Sequence, residues 1–195
     1  MAKLLHLKHW QLFMLLFGIP IIFHISALII IFSTQNGKIA LIGFPLMLIF
    51  FMVVFFGWFY TLGSNLVSKL PGTVRMSLTK FRIFLLVPVL YILLLFIFMA
   101  VFFSTKPSGS EVGPPPNFGF IALIIPVHLF SMFCIFYCMY FISKALKVAE
   151  LQKPVTSSDY IGDFLLFWFS PVGEWILQPR INKLFNNEIP ELQQD

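Results

Sequence analysis

The chain has 195 residues, of which 59% are hydrophobic and only 11% charged, with a mean hydropathy of +0.92. Soluble domains carry about 25% charged residues, so this composition excludes a water-solvated globule and makes lipid the solvent for most of the exterior. The formal charge of +5 comes from 13 Lys and Arg scattered without a basic run, which argues against nucleic-acid binding.

Four stretches, 9–37, 39–68, 83–105 and 112–143, contain no Asp, Glu, Lys or Arg. Each exceeds the roughly 20 apolar residues that a helix needs to cross hydrocarbon. Lys3 and Lys8 precede the first run as in a signal peptide. The run is too long for one, and no small-residue cleavage site follows, so it reads as a retained span.

The first span is predicted over residues 10–32, with Trp10 as an interfacial anchor and Pro20 as a kink. A short turn over 33–37 makes it a hairpin with the second span, 39–62. That span has Pro45 in its first turns, and Gly57 and Thr61 form a small-xxx-small pair suited to close helix approach. Leu70-Pro71-Gly72 marks a turn, in a segment whose cations belong near anionic headgroups. The third span covers 84–103 with Pro88 near its start. The loop over 104–117 holds Pro114-Pro115-Pro116 and reads as disordered or polyproline. The fourth span covers 118–142 with Pro126 inside, continues as helix through 143–152, and stops at Pro154.

Of the 13 Lys and Arg, all but Lys38 and Lys106 fall in the N-terminal segment, the second loop or the C-terminal region. The positive-inside rule then places both termini in the cytoplasm, as an even number of spans requires.

The tail opens with Thr156-Ser157-Ser158-Asp159, an N-cap followed by an acidic first turn. Asp159 and Asp163 are expected to complement the helix dipole. Residues 160–177 are apolar and aromatic, and the run is broken by Pro171 and Gly173 and so is too short to span. It reads as one interfacial or re-entrant helix under the bundle, a fifth span being disfavoured because it would export Arg180 and Lys183, with Glu174 pairing to Arg180 or Lys183.

The chemistry is sparse. No Asp or Glu precedes Glu111 and none lies in a span, which argues against proton-coupled carriers and hard-metal sites in the bundle. His24 and His128 lie within spans at similar depth. Either each imidazole bonds a nearby backbone or hydroxyl group, or the two face one another and ligate haem b iron. Cys134 and Cys138 are spaced i, i+4 rather than as C-x-x-C and read as apolar packing. G-x-S-x-G, H-E-x-x-H and P-loop motifs are absent, and Gly162-Asp163 lacks the second intramembrane aspartate of an aspartyl protease. No catalytic or metal-ligating residue is assigned.

What remains is the tail block, in which Trp168 and Trp175 bracket a Pro-x-Gly break and Gln-Pro-Arg-Ile-Asn follows. Trp168, Pro171, Gly173, Glu174, Trp175, Gln178 and Arg180 are the candidate partner-binding residues, since Trp and Arg favour interfaces. The start, His6-Leu7-Lys8-His9-Trp10-Gln11-Leu12-Phe13, and the block Trp-x-x-Pro-x-Gly-x-Trp-Ile-x-Gln-Pro-x-Ile-Asn together resemble an uncharacterised group of small bacterial four-span integral membrane proteins. The similarity covers most of the chain. It implies architecture and carries over no catalytic residue.

The sequence therefore predicts an all-α, membrane-spanning four-helix bundle with a C-terminal amphipathic, interfacial helix. Its expected domains are a transmembrane part, 1–153, and a cytoplasmic tail packed on the membrane face, 154–195. The expected role is a non-enzymatic inner-membrane accessory or scaffold protein that meets the lipid bilayer and a protein partner or further copies of itself. The alternatives are an oligomeric pore or small transporter subunit and a haem-binding electron carrier.

Overall fold

The computed structural model describes residues 2–34, 38–104 and 118–186. These residues form helices joined by turns, with no strand among them. The expected turn at 35–37 and the proline-rich loop at 105–117 lie outside the described residues.

Among the described residues, four helices are long and apolar enough to cross a membrane. The first, α1 (His9–Thr34), contains a π-helical turn at Met14–Gly18, where the Ile19 N–H reaches the Met14 carbonyl. A proline in a regular helix would press its ring on the carbonyl four residues back. The wider turn ends just before Pro20, so the expected kink takes the form of a local change in hydrogen-bond register. Beyond it, residues 19–34 include none that is buried, and apolar side chains such as Ile22, Ile25, Leu28 and Ile29 surround the helix instead of forming a stripe. Such a helix needs lipid around it.

The second helix, α2 (Lys38–Leu66), has 29 residues and Pro45 inside. At ~1.5 Å per residue it is about 43 Å long, more than the ~30 Å hydrocarbon core, so its ends project into the interfaces. The Thr61 hydroxyl donates to the Gly57 carbonyl at 2.7 Å, so the small-residue pair is bonded within its own helix. A 3₁₀ turn at Val67–Lys69 follows, and the Val74 N–H closes the expected proline turn on the Pro71 carbonyl at 3.0 Å.

The third helix, α3 (Leu78–Ser104), and the fourth, α4 (Phe118–Leu151), carry Pro88 and Pro126 internally. Gln152, not Pro154, ends α4. It takes a left-handed φ of 51°, and its amide donates to the Ala149 and Lys69 carbonyls at 2.7 and 3.1 Å. Side-chain bonds at the helix end hold a conformation usually given to glycine.

The tail forms two helices where the sequence suggested one: α5 (Ser157–Trp168) and α6 (Ser170–Asn186). The chain breaks at Phe169, before the proline. Pro171 sits in the first turn of α6, where its missing N–H has no intrahelical partner to lose. Gln178 to Asn182 continue α6 despite Pro179.

By contacts the chain divides into two compact units, Met1–Leu78 with Met139–Asp195, and Thr79–Cys138. The second unit is a helix pair in which Phe84 lies 4.5 Å from Tyr137, ring to ring. The first unit gathers α1, α2, the end of α4 and the tail helices. Its buried side chains include Trp58, Phe59, Leu62 and Leu66 of α2, Leu146 of α4, Phe167 of α5, and Leu177 and Ile181 of α6.

Candidate functional site

The candidate site is the α5–α6 pair with the N-terminal segment it holds, all within the first unit. Thr156 starts α5: its N–H and hydroxyl both donate to Asp159 Oδ2, at 2.7 and 2.8 Å. The Thr156 backbone N–H, then its hydroxyl, hold Asp159 below the ordinary carboxylate value. The cap is where the sequence placed it.

Asp163 departs from the dipole expectation. It is 5% exposed and shares a face of α5 with the buried Tyr160 and Phe167. Arg180 donates to it from Nη1 at 2.6 Å and Nη2 at 3.0 Å. The same guanidinium donates to Glu150 from Nε at 2.8 Å and Nη2 at 2.6 Å. Lys147 lies 3.7 Å from Asp163 and 3.9 Å from Glu150. The hydrogen bond to Asp163, then that to Glu150, raise the Arg180 guanidinium further above its ordinary value. Two cations and two carboxylates thus join α4, α5 and α6. Arg180 pairs with these carboxylates and not with Glu174, and they were absent from the sequence-level candidates. The signal was the spacing of Tyr160, Asp163 and Phe167, which puts a carboxylate on the apolar stripe, where it needs a cation.

Near the break, α5 and α6 approach backbone to side. A Cβ on Gly173 would overlap the Leu166 carbonyl oxygen. Gly173 is therefore inside α6 as a contact point and does not end a helix. Trp175 rests against His9 at 4.7 Å and Phe13 at 5.8 Å, ring to ring, in the first turns of α1. Phe167 lies 5.7 Å from Trp58 and 5.9 Å from Phe59. Those two are roughly 10–12 Å along α2 from Leu66, at the helical rise per residue. At the other end of α6, the Lys69 ammonium meets the Leu184 carbonyl at 3.4 Å and lies over the Phe185 ring at 5.2 Å.

Gln178 is fully buried. Its Nε2 faces the carbonyls of Leu7, Leu4 and Leu5 at 3.0, 3.3 and 3.3 Å and Asn182 Oδ1 at 3.2 Å. Asn182 donates to the Leu7 carbonyl at 3.0 Å, and His6 Nδ1 and Asn186 Oδ1 are 2.9 Å apart. One edge of α6 therefore binds residues 4–7, which supply carbonyls because the 3₁₀ turn at Ala2–Leu5 and the bend after it leave them outside a regular α-helix.

Glu174 is fully buried as well, and its Oε1 accepts from the Ser170 hydroxyl at 2.8 Å. Burial pushes its carboxyl up to about 7, against the lowering effect of the Ser170 hydroxyl. Among the described residues, Glu174 Oε2 and Gln178 Oε1 are buried without a hydrogen-bond partner.

The remaining candidates face outward. Trp168 and Trp175 are half exposed, while Phe169, Val172 and Ile176 are also open and Pro171 is exposed. His24 Nδ1 is 2.7 Å from the Pro20 carbonyl, in the first unit, and His128 Nδ1 is 3.1 Å from the Tyr91 hydroxyl, in the second. Cys134 and Cys138 are free thiols in buried positions. No family model, curated protein or solved structure matches this chain.

Proposed function

We propose that this multi-pass membrane protein is a non-enzymatic accessory protein of the bacterial inner membrane, with both termini cytoplasmic. It acts by presenting the outer face of α6 to a transmembrane helix of a protein partner within the cytoplasmic interface. One observation carries the reading: Val172 and Ile176 are exposed, and Trp175 is half exposed against the start of α1, on a helix whose buried edge is tied to the N-terminal segment through Gln178 and Asn182. A fixed aromatic face loses little conformational entropy on binding. The contacts of Trp175 with α1 and of Lys69 with the end of α6 support a position in the interfacial layer, where such side chains are at home. The distribution of Lys and Arg supports the orientation.

The test is a photo-crosslinking amino acid at Val172 in cells, followed by identification of the adducts. A discrete protein adduct that is lost in W168A/W175A is expected. Adducts confined to lipid, at normal expression, would reduce the face to a membrane anchor and overturn the reading.

A further inference from the structure

The orientation of the Gln178 amide is set by its surroundings. Four acceptors crowd one side of it, and only an NH₂ group can face them. Its oxygen therefore points elsewhere, buried and without a donor among the described residues. One turn earlier, Glu174 spends one oxygen on Ser170 and leaves the other buried and without a donor. Residues at i and i+4 are neighbours on a helix surface. Two buried, donor-less oxygens on side chains one helical turn apart are costly, and an ionised carboxylate would also repel the amide oxygen. A single proton removes both penalties.

We propose that Glu174 is a proton-binding site: Oε2 takes a proton from water and donates it to Gln178 Oε1, locking the Gln178 amide onto the backbone carbonyls of Leu4, Leu5 and Leu7. When Oε2 returns the proton to water, the favoured arrangement is the amide turned over, with its NH₂ donating to the carboxylate and its oxygen facing the carbonyls. The N-terminal segment is then released. The site is a latch whose ligand is a proton. It does not depend on the partner reading.

The other charged and titratable groups on the packed elements are engaged elsewhere or exposed, among them Tyr160 beside the Ser157 hydroxyl and Lys144 beside the Tyr140 hydroxyl. On α5, Asp159 bonds Thr156 and Asp163 bonds Arg180. On α4, Lys147 and Glu150 belong to the same ionic cluster. At the N-terminal side, His6 meets Asn186, His9 stacks on Trp175, and Lys8 is exposed. Beyond α2, Lys69 meets Leu184, and on α6 itself Lys183 is exposed. Burial raises the Glu174 carboxyl from 4.5 to about 7, which is the direction the latch requires. The stabilisation is complete below the unfolded value of 4.5 and is lost as pH rises through about 7.

The experiment uses the full chain in lipid nanodiscs. Infrared titration reads the carboxylic-acid C=O band, and a nitroxide on K8C, in a background with Cys134 and Cys138 replaced by Ser, reads the N-terminal segment. The expected result is an acid band that disappears with a midpoint near 7 and is missing in E174Q. The label is expected to gain mobility over the same range in the parent and to stay immobile in E174Q, whose amide donates permanently to Gln178. The absence of an acid band in the unsubstituted protein below that midpoint overturns the proposal, whether or not E174Q folds. So does a label response that survives in E174Q, since Glu174 would then not be its source.

Discussion

Arg180 reaches Asp163 across the tail's helix break, 17 residues back, with two hydrogen bonds of 2.6 and 3.0 Å. The carboxylate is nearly out of solvent, while the guanidinium keeps a 29% exposed side chain. Removing the guanidinium strips Asp163 of its two hydrogen bonds and leaves Lys147 as the cation shared by Asp163 and Glu150, so R180A is expected to cost about 2 kcal/mol of stability, discounted for the exposure of Arg180. R180K should recover part of this, because a lysine cannot fork to two carboxylates at once. Thermal unfolding in detergent measures both, and an R180A melting curve overlaying the parent would show that the cluster contributes nothing.

Gly173 and Gly162 differ sharply in what surrounds them. A methyl at Gly173 meets the Leu166 carbonyl, whereas a methyl at Gly162 has nothing within 4 Å. G173A must push α5 and α6 apart at an expected loss of about 2 kcal/mol or more. G162A should be neutral or gain roughly 0.5–1 kcal/mol, from a better helix former on an open face. Equal melting temperatures for the two variants would contradict the close crossing.

The Thr156 cap gives the tail an acid limb. Asp159 is held below its ordinary 3.8 by the Thr156 N–H and hydroxyl, so the stabilisation is present above that value and is lost as pH falls through the depressed one. D159N and T156A should each fray the start of α5 at neutral pH, seen as faster amide exchange at residues 157–160, and each should flatten the acid limb. Unchanged exchange in both variants would remove the cap from the account.

Orientation is open to a direct measurement. A reporter fused at Gly109 should be periplasmic and one at the C-terminus cytoplasmic, because the flanking cations favour that threading. Two cytoplasmic reporters would require a different number of spans.

Much of this architecture is legible in the sequence because it depends on properties that neighbouring residues share. Long runs without charge define four helices, and each helix overlaps its expected span, the first within two residues at each end and the other three with ends displaced by four to nine. The Thr156 cap and the Pro71 turn are equally local: one needs a side chain three residues away, the other a fixed φ. The tail helices were harder. Pro171 and Gly173 look like one break, yet the turn falls at Phe169, since a proline is tolerated in a first turn and the glycine is needed for a neighbour that the local sequence does not reveal.

Composition and charge spacing alone determined that lipid is the solvent and that four helices are long and apolar enough to cross it, because leaving such long uncharged apolar runs in water is too costly. Only the tertiary structure decided where the tail's few polar groups are spent. Arg180 meets Glu150 from 30 residues away, and Gln178 meets Leu7 from 171 residues away. Such pairings depend on how helices stack in space, and no periodicity along the chain encodes which distant carbonyl or carboxylate a buried donor will meet.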